Sequence, residues 1–227
     1  MKNGNEEIVE IRFKRRESIL ESAKRLFLEK DWNGMTIGHI ASEAGISRVT
    51  LYKYFSSMQD IIFELQIRCL REIASHMNRM GKAGGTGSEK LSRMMKGLLE
   101  VFRDRKEEIR FVAMFDHHYR FTFPSEEFRL KYKAALQQDF IDFHGVIREG
   151  MRDGTLSSEF DPDLLSEMFT HSMLSLLQRM AVRGHLIQKQ WGFEPEEVVR
   201  YLTLFFAEFS KAEPDPGAFG PPASRSP

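Results

Sequence analysis

Cysteine is almost missing from this sequence: Cys69 is the single one in 227 residues. One cysteine cannot form an intramolecular disulfide, and it cannot supply the cysteine ligands of a structural zinc site. The chain also lacks any apolar run near the ~20 residues that a membrane-spanning helix needs. Residues 1–10 are polar and acidic, unlike a secretory signal, so we expect a cytoplasmic protein.

Proline is scarce, and the alternating pattern of strands is missing. No proline precedes Pro124, and β-branched residues do not alternate with polar ones over any run. Apolar residues instead recur at helical spacing, which predicts an all-α fold, with Gly154 and Gly184 as helix stops. The glycine-rich segment 81–88 predicts a flexible linker, because it lacks the Gly-Lys-Ser/Thr end of a phosphate-binding loop. The predicted helices cover 12–30, a short segment after Thr36, 47–55, 56–80, 89–103, 106–120, 125–153, 162–183 and 195–211.

The net charge is zero, with 33 basic and 33 acidic residues, which by itself is unlike a nucleic-acid-binding protein. The distribution is uneven, because residues 12–54 contain nine Lys or Arg against five Asp or Glu. The remainder of the chain is correspondingly acidic. This mildly basic N-terminal segment is a weak indication that it contacts a polyanion.

Residues 36–55 have the pattern of two short helices joined by a glycine turn. Gly45 supplies a sharp turn, and Ser47 can cap the helix that follows. Leu51 and Phe55 lie four residues apart and share one face of that helix, which can pack on the preceding helices. This geometry is typical of a recognition helix in a DNA major groove, although an amphipathic helix with a merely solvated polar face has the same pattern. The side chains turned away from the core would be Val49, Thr50 and Lys53, and Arg48 would lie in the exposed first turn.

Residues from about 12 to 65 are similar to the DNA-binding domain of the TetR family of bacterial transcriptional regulators. The resemblance rests on Ile19-Leu20-Glu21-Ser22-Ala23-Lys24-Arg25-Leu26-Phe27, Thr36-Ile37, Ile40-Ala41, Ala44-Gly45-Ile46-Ser47 and Thr50-Leu51-Tyr52-Lys53-Tyr54-Phe55. It implies an all-α homodimer that binds a palindromic DNA operator, usually as a repressor. It also implies a small molecule in the larger domain that releases the protein from DNA.

The resemblance further implies roles for single residues. Thr36 would contact a phosphate at the start of the second helix. The bases would be contacted by Arg48, Val49, Thr50 and Lys53, and the DNA backbone by Ser47, Tyr52 and Tyr54. One position departs from the family pattern, because Met58 stands where a phosphate-binding lysine is common. One phosphate contact fewer lowers the slope of log affinity against log salt by about one.

Two late helices are more apolar than a single buried stripe requires. One face can pack within the subunit, and the surplus predicts a homodimer, which the family resemblance also implies. The alternative is a pair of helices central in a monomer. The predicted dimer residues are Leu165, Met168, Phe169, Leu176, Met180, Leu202, Phe205, Phe206 and Phe209.

The middle helices carry aromatic, methionine and histidine side chains that could surround a small ligand. Methionine adapts to irregular shapes, so a bulky hydrophobic effector would suit such a pocket. An ordinary core with hydrogen-bonded histidines has the same composition, and both interpretations stay open. The candidate pocket residues are Phe111, Met114, Phe115, His118, Tyr119, Phe140, Phe143, His144 and His171.

These patterns predict four segments. Residues 1–11 form a flexible N-terminus, 12–57 a helix-turn-helix DNA-binding domain, 58–212 a helical regulatory and dimerisation domain, and 213–227 a disordered proline-rich tail. The predicted function is an operator-binding regulator released by an effector. An effector-independent architectural or cell-division DNA-binding protein on the same fold is the alternative.

An enzyme or metal site is not predicted. Glu72 with His76 and Glu167 with His171 are carboxylate–imidazole pairs four residues apart on helices. Di-metal helical bundles use a Glu-x-x-His spacing of three, whereas pairs four apart are usually surface ion pairs. We therefore expect no catalytic residue, no metal and no cofactor.

Overall fold

A computed structural model describes residues 4–30, 32–139 and 141–209. Within these ranges the chain forms ten α-helices and no strand, which confirms the predicted all-α fold. None of these helices is both long enough and apolar enough to cross a membrane. The helices are α1 Gly4–Glu29, α2 Ile37–Glu43, α3 Arg48–Tyr52, α4 Met58–Lys82, α5 Gly87–Asp104, α6 Lys106–His118, α7 Glu126–Asp139, α8 Phe143–Arg152, α9 Pro162–Trp191 and α10 Pro195–Phe209.

The first helix begins earlier than the sequence predicts. α1 starts at Gly4 rather than near residue 12, so the described part of the predicted flexible N-terminus is helical. The segment contains no proline, and the Lys14 ammonium lies 2.9 Å from the Glu10 carboxylate one turn away, an arrangement that supports a helix. The sequence pattern missed this extension because it buries no face. Its apolar side chains are all exposed: Ile8, Val9, Ile11 and Phe13.

Two later helix boundaries also differ from the prediction. The segment 125–153 forms two helices, α7 and α8, and Asp142 caps the second by accepting the Gly145 N–H at 2.8 Å. Gly184 does not end a helix, because α9 continues to Trp191. A Cβ on Gly184 would lie 2.5 Å from Cγ of Pro195, so this glycine allows close packing. The left-handed residue that ends α9 is Gly192, with φ 77°.

The described residues cluster into two compact units, which we treat separately. The first contains residues up to 73 together with 106–140, and therefore α1–α3, the beginning of α4, α6 and α7. The second contains 74–105 and the residues from 141 onward, and therefore the end of α4, α5 and α8–α10. This grouping follows contacts and not function, so the predicted division at residue 57 stays a prediction. The predicted tail 213–227 lies outside the described residues.

In the first unit, α1 packs on α2 and α6 around a buried aromatic cluster. Phe27 is fully buried, and its ring centroid lies 4.9 Å from that of Trp32 and 6.1 Å from that of Phe111. The Trp32 indole N–H donates to the Phe27 carbonyl at 2.9 Å, so this buried donor is satisfied. A partly buried ion pair between Lys24 and Glu108, 3.0 Å long, joins α1 to α6 beside the cluster.

In the second unit, the predicted linker 81–88 is a short and strongly hydrogen-bonded connection. α4 extends to Lys82, and α5 begins at Gly87 after Thr86, which caps it. The Gly87 N–H donates to a carboxylate oxygen of Asp153 at 2.7 Å, at the end of α8. α5 and α8 approach so closely that a Cβ on Gly87 would overlap the backbone N and Cα of Gly150. The two helices therefore cross with almost no space between their backbones.

Gly87→Ala is expected to destabilise the protein by about 1–3 kcal/mol, because a backbone cannot yield as a flexible side chain can. Gly84→Ala is the matched control, since a Cβ there would meet nothing within 4 Å. Urea unfolding followed by circular dichroism compares the two. Equal midpoints for both variants would contradict the close crossing of α5 and α8.

Candidate nucleic-acid interface

The predicted helix-turn-helix is formed by α2 and α3, and its core is buried as the sequence indicates. Leu51 of α3 and Ile40 of α2 are fully buried, and Phe55, which follows α3, is 3% exposed. α3 spans only five residues, so tertiary packing rather than its own hydrogen bonds must hold it in place. The Arg25 side chain of α1 binds the Glu43 carboxylate of α2 at 2.9 Å and fastens the pair of helices to α1.

The turn between α2 and α3 depends on Gly45 and Ser47. Gly45 has φ 63°, a conformation that residues with a Cβ rarely adopt. The Ile46 N–H donates to the Ala41 carbonyl at 2.9 Å and closes the end of α2. The Ser47 hydroxyl then accepts the Thr50 N–H at 3.0 Å as the N-cap of α3. The same hydroxyl lies 2.9 Å from the Thr50 hydroxyl, so both of these proposed DNA-contacting groups are already oriented.

The start of α2 contains a feature that the sequence analysis missed. The Thr36 N–H donates to Nδ1 of His39 at 3.3 Å, so a histidine occupies the place that a Glu commonly takes in a capping box. This bond requires Nδ1 to be unprotonated. The signal in the sequence was the Thr-x-x-His spacing, which is less familiar than Thr-x-x-Glu.

The outer surface of α2 and α3 is open to solvent. Val49 is 71% exposed and Tyr52 is 55% exposed, whereas Thr50 and Tyr54 are half-buried. The remaining residues predicted to contact DNA are all exposed: Thr36, Ser47, Arg48 and Lys53. The structure thus leaves all eight predicted residues at least partly accessible to solvent, and their contacts with DNA stay a prediction.

Ion pairs reduce the positive charge available to DNA. Among the nine basic residues of the segment 12–54, four have carboxylate partners in the structure: Lys14, Arg16, Lys24 and Arg25. Arg48 and Lys53 carry the positive charge on the α2–α3 face itself. The charge count of the sequence therefore overstates the electrostatic contribution of this segment.

The guanidinium group of Arg48 lies against α2 at Gly38. A Cβ on Gly38 would lie 2.5 Å from Nε and 2.7 Å from Cζ of Arg48, far inside van der Waals contact. Glycine at this position is thus required for the observed placement of the Arg48 side chain. No sequence pattern marks Gly38, because the sequence around a glycine inside a helix does not show which side chain will pack beside it.

The candidate pocket residues divide between the two units. Phe111 and Phe115 are buried in the core of the first, and His118 is exposed there, with its ring 5.2 Å from that of Trp32. In the second, Phe143 is buried, and the other two residues are exposed histidines that each lie beside a carboxylate. His144 lies 2.5 Å from Asp163, and His171 lies 3.1 Å from Glu167. Met114 and Tyr119 are half-buried, Phe140 lies outside the described residues, and the set as a ligand site stays a prediction.

The structure corrects part of the predicted dimer set. Four of its members are already buried within the subunit and have almost no surface left to give a partner: Leu165, Phe169, Met180 and Phe206. Helical periodicity shows which residues form an apolar face, but it does not show whether that face packs inside the subunit or against a partner. For these four residues the prediction assigned to the dimer interface a face that packs inside the subunit. Met168, Leu176 and Leu202 are half-buried, and Phe205 is 61% exposed. The side chain of Phe209 lies outside the described residues.

Among the described residues, no group of three His, Cys, Asp or Glu side chains is placed to hold a metal ion. The Cys69 thiol is buried, and burial raises its pKa well above the ordinary value, which disfavours the nucleophilic thiolate.

Gly38→Ala is expected to displace Arg48 and to weaken binding to a preferred DNA site by about 1–3 kcal/mol, the range of one base contact. The same substitution in an Arg48→Ala background should have little further effect, because the displaced group is gone. A double-mutant cycle by fluorescence anisotropy measures this. Additive losses would show that Gly38 does not act through Arg48.

Comparisons with known proteins agree with this geometry. Residues 19–65 match the family described as bacterial regulatory proteins, tetR family. The YerO regulator of Bacillus subtilis is 33% identical over 100 residues, which cover 42% of this chain and 34% of that protein. The chain thus matches about a third of the length of this relative. The repressor KstR2 of Rhodococcus jostii is 25% identical over 151 residues, covering 66% of this chain and 72% of that protein.

Solved structures share the fold at low sequence identity. The fatty acid degradation regulator FadR from Bacillus halodurans superposes with a TM-score of 0.64 at 17% identity, covering 85% of this chain and 94% of that one. A putative TetR-family regulator from Rhodococcus sp. gives 0.69 at 16% identity, covering 88% and 100%. These similar proteins are regulators of transcription and not enzymes.

Three independent features therefore coincide on the same residues. The α2–α3 pair has the cap, turn and core of a helix-turn-helix, its outer face is accessible, and the family match covers it. The fold of the remaining helices is that of known TetR-family structures. The chain contains, in residues 19–65, the helix-turn-helix DNA-binding domain of the TetR family of bacterial transcriptional regulators.

Proposed function

We propose that this protein binds a palindromic DNA operator as a homodimer, represses transcription there, and is released by a small-molecule effector. It would act in the cytoplasm, at the nucleoid. The observation that carries the proposal is the exposed face of α3, held outward by the burial of Leu51. A helix presented in this way can enter a major groove with its first residues against base edges.

Within that face we assign two kinds of contact. Arg48 is at the first position of α3, where a side chain reaches furthest into the groove, and its guanidinium can donate two hydrogen bonds to guanine. Val49, Thr50 and Lys53 accompany it at the bases. Thr36, Ser47, Tyr52 and Tyr54 bind the phosphate backbone, which fixes the register of the protein but carries no sequence information.

The homodimer is supported by apolar side chains left exposed on one face each of α9 and α10. On α9 they recur at helical spacing, so they share a side of the helix. Exposed apolar surface of this extent is unusual for a monomer, and a two-fold axis would cover it with the same residues of a second copy. The residues of this face, called here the α9–α10 face, are Leu164, Val182, Leu186, Tyr201, Leu204 and Phe205.

An effector can release DNA only if it binds one spacing of the two helix-turn-helix domains better than another. We propose that α4 transmits this difference, since it is the helix that directly follows the helix-turn-helix. Two similar proteins are named for apolar chemistry, the fatty acid degradation regulator FadR and the ketosteroid regulator KstR2 of Mycobacterium tuberculosis. A hydrophobic effector is accordingly proposed for this chain.

Arg48→Ala is expected to relax sequence preference at one base pair and to cost about 1–3 kcal/mol at the selected site. Tyr54→Ala should weaken binding to all DNA about equally, because it removes a backbone contact. An operator selected from random duplexes, and a scrambled duplex, are titrated with both variants. Equal losses on the two duplexes for Arg48→Ala would refute its contact with a base.

Phe205→Glu is expected to convert the dimer to a monomer, since two carboxylates would be buried near the two-fold axis. Phe121→Glu is the matched control, because Phe121 is 87% exposed and belongs to the first unit, whereas the α9–α10 face belongs to the second. Light scattering after size-exclusion chromatography gives the masses. A Phe205→Glu protein that remains dimeric would remove α10 from the interface.

A further inference from the structure

A cavity of about 720 Å³ lies in the first unit, between α1, the segment joining α3 to α4, the beginning of α4, and α7. Its volume is within the range of ~300–1,000 Å³ that is typical of small-molecule sites. None of its lining residues belongs to the candidate pocket set predicted from the sequence. One of them, Tyr54, belongs to the proposed DNA-binding face.

One side of this cavity is apolar and largely aromatic. Phe55, Phe63, Ile67 and Phe128 line it, and the ring centroids of Phe63 and Phe128 are 4.6 Å apart. Phe55 and Phe63 are almost fully buried, so this wall is fixed by the core behind it. Such a surface suits a flat ring or a short acyl chain.

The other side is charged, with a positive excess. The lining contains four cationic side chains, Arg16, Arg68, Arg71 and Lys131, and two carboxylates, Asp60 and Glu64. Glu64 already binds Arg16 at 2.5 Å and Arg68 at 3.4 Å. A site of this composition favours an anion.

Arg68 is further neutralised from outside the cavity by Glu17. The Glu17 carboxylate accepts two hydrogen bonds from Arg68, at 2.5 and 2.6 Å, and these bonds hold the pKa of Glu17 below its ordinary value. The ion pair of Arg68 with Glu17 therefore links α4 to α1. Lys131 is likewise paired, with the carboxylate of Glu127 at 2.7 Å, a residue that does not line the cavity. We place the charged end of a ligand beside Arg16, Arg71 and Lys131, and Arg16 is the one among them with an unsatisfied donor.

The Arg16 guanidinium is incompletely satisfied. It stacks on Phe55, with Cζ 4.3 Å from the ring centroid, and Nη2 donates to Glu64. Nη1 is buried and has no hydrogen-bond partner among the described residues. A buried donor without an acceptor is unfavourable, and a carboxylate is the partner that best fits the two-pronged guanidinium.

We propose that this cavity binds a small amphipathic carboxylate. Its charged end lies among Arg16, Arg71 and Lys131, and its aromatic or short acyl body lies on Phe63 and Phe128. Because Tyr54 is shared with the DNA-binding face, occupancy changes the affinity for DNA, and DNA changes the affinity for the ligand by the same factor. The binding itself is independent of the proposed function, and only this regulatory consequence rests on it.

The probe is 4-phenylbutyrate, compared with 4-phenylbutan-1-ol, which has the same body without the charge. Isothermal titration with the full chain is expected to give saturable one-site binding of the acid and about tenfold weaker binding of the alcohol. Equal affinities for the two compounds, or no saturable binding of the acid at millimolar concentration, overturn the proposal.

Variants on α7 locate the site. Ala134→Trp fills the cavity from an exposed position and should abolish binding of 4-phenylbutyrate. Lys131→Gln should weaken it several-fold. Lys133→Gln, the same change two residues away at an exposed position outside the lining, should leave it unchanged. Identical binding by the Lys131 and Lys133 variants, or undiminished binding by Ala134→Trp, places the ligand elsewhere and overturns the site.

DNA binding is measured on the same preparations, first without the acid and then at saturation. An affinity for the selected operator that changes with the acid supports the regulatory link, and an unchanged affinity overturns that link. Saturable binding of the acid by a protein that ignores every duplex supports the site and refutes the operator-binding function. A protein that binds the selected operator but does not bind the acid supports the operator-binding function and refutes the site.

Discussion

The burial of Leu51 determines what the protein offers to DNA. α3 is too short to be stable alone, so its orientation follows from the one face that packs against α2. Successive helix residues diverge by about 100°, so when Leu51 faces the core, Val49 faces the opposite side and Tyr52 lies between the two. Arg48, three residues before Leu51, starts from the side of Leu51, and its guanidinium lies against Gly38 of α2. The glycine turn at Gly45 and the Ser47 cap set where that helix begins. The site is therefore a consequence of packing and local turn chemistry.

Much of this could be predicted from the residues alone. The all-α fold follows from helical periodicity without strand patterns, and the positions of α2 and α3 follow from Thr36, Gly45 and Ser47. These signals are local, because a cap or a turn involves residues within about four positions of one another. The assignment of an accessible face to Val49 and Lys53 required only the recognition that Leu51 and Phe55 share the opposite one.

The parts that escaped prediction depend on contacts distant in sequence. Gly184 has the signature of a helix stop, but Pro195 packs on it and α9 continues. The need for glycine at position 38 follows only from the Arg48 side chain that packs beside it, ten residues away in sequence. Periodicity on α9 and α10 shows apolar faces, yet only the packed subunit reveals that Phe169 and Phe206 are inside while Leu204 and Phe205 remain outside. The cavity, likewise, is assembled from four separate segments of the chain, and no short motif marks it.

The burial of Cys69 has a practical consequence for spectroscopy. Its thiol is 3% exposed, and its raised pKa leaves almost no thiolate at neutral pH, so alkylating reagents will react with it very slowly. A cysteine introduced at an exposed position such as Val49 can then be labelled selectively without first removing the native one. In the proposed homodimer, paired spin or fluorescent labels at that position would report the separation of the two α3 helices in a protein that keeps its native cysteine.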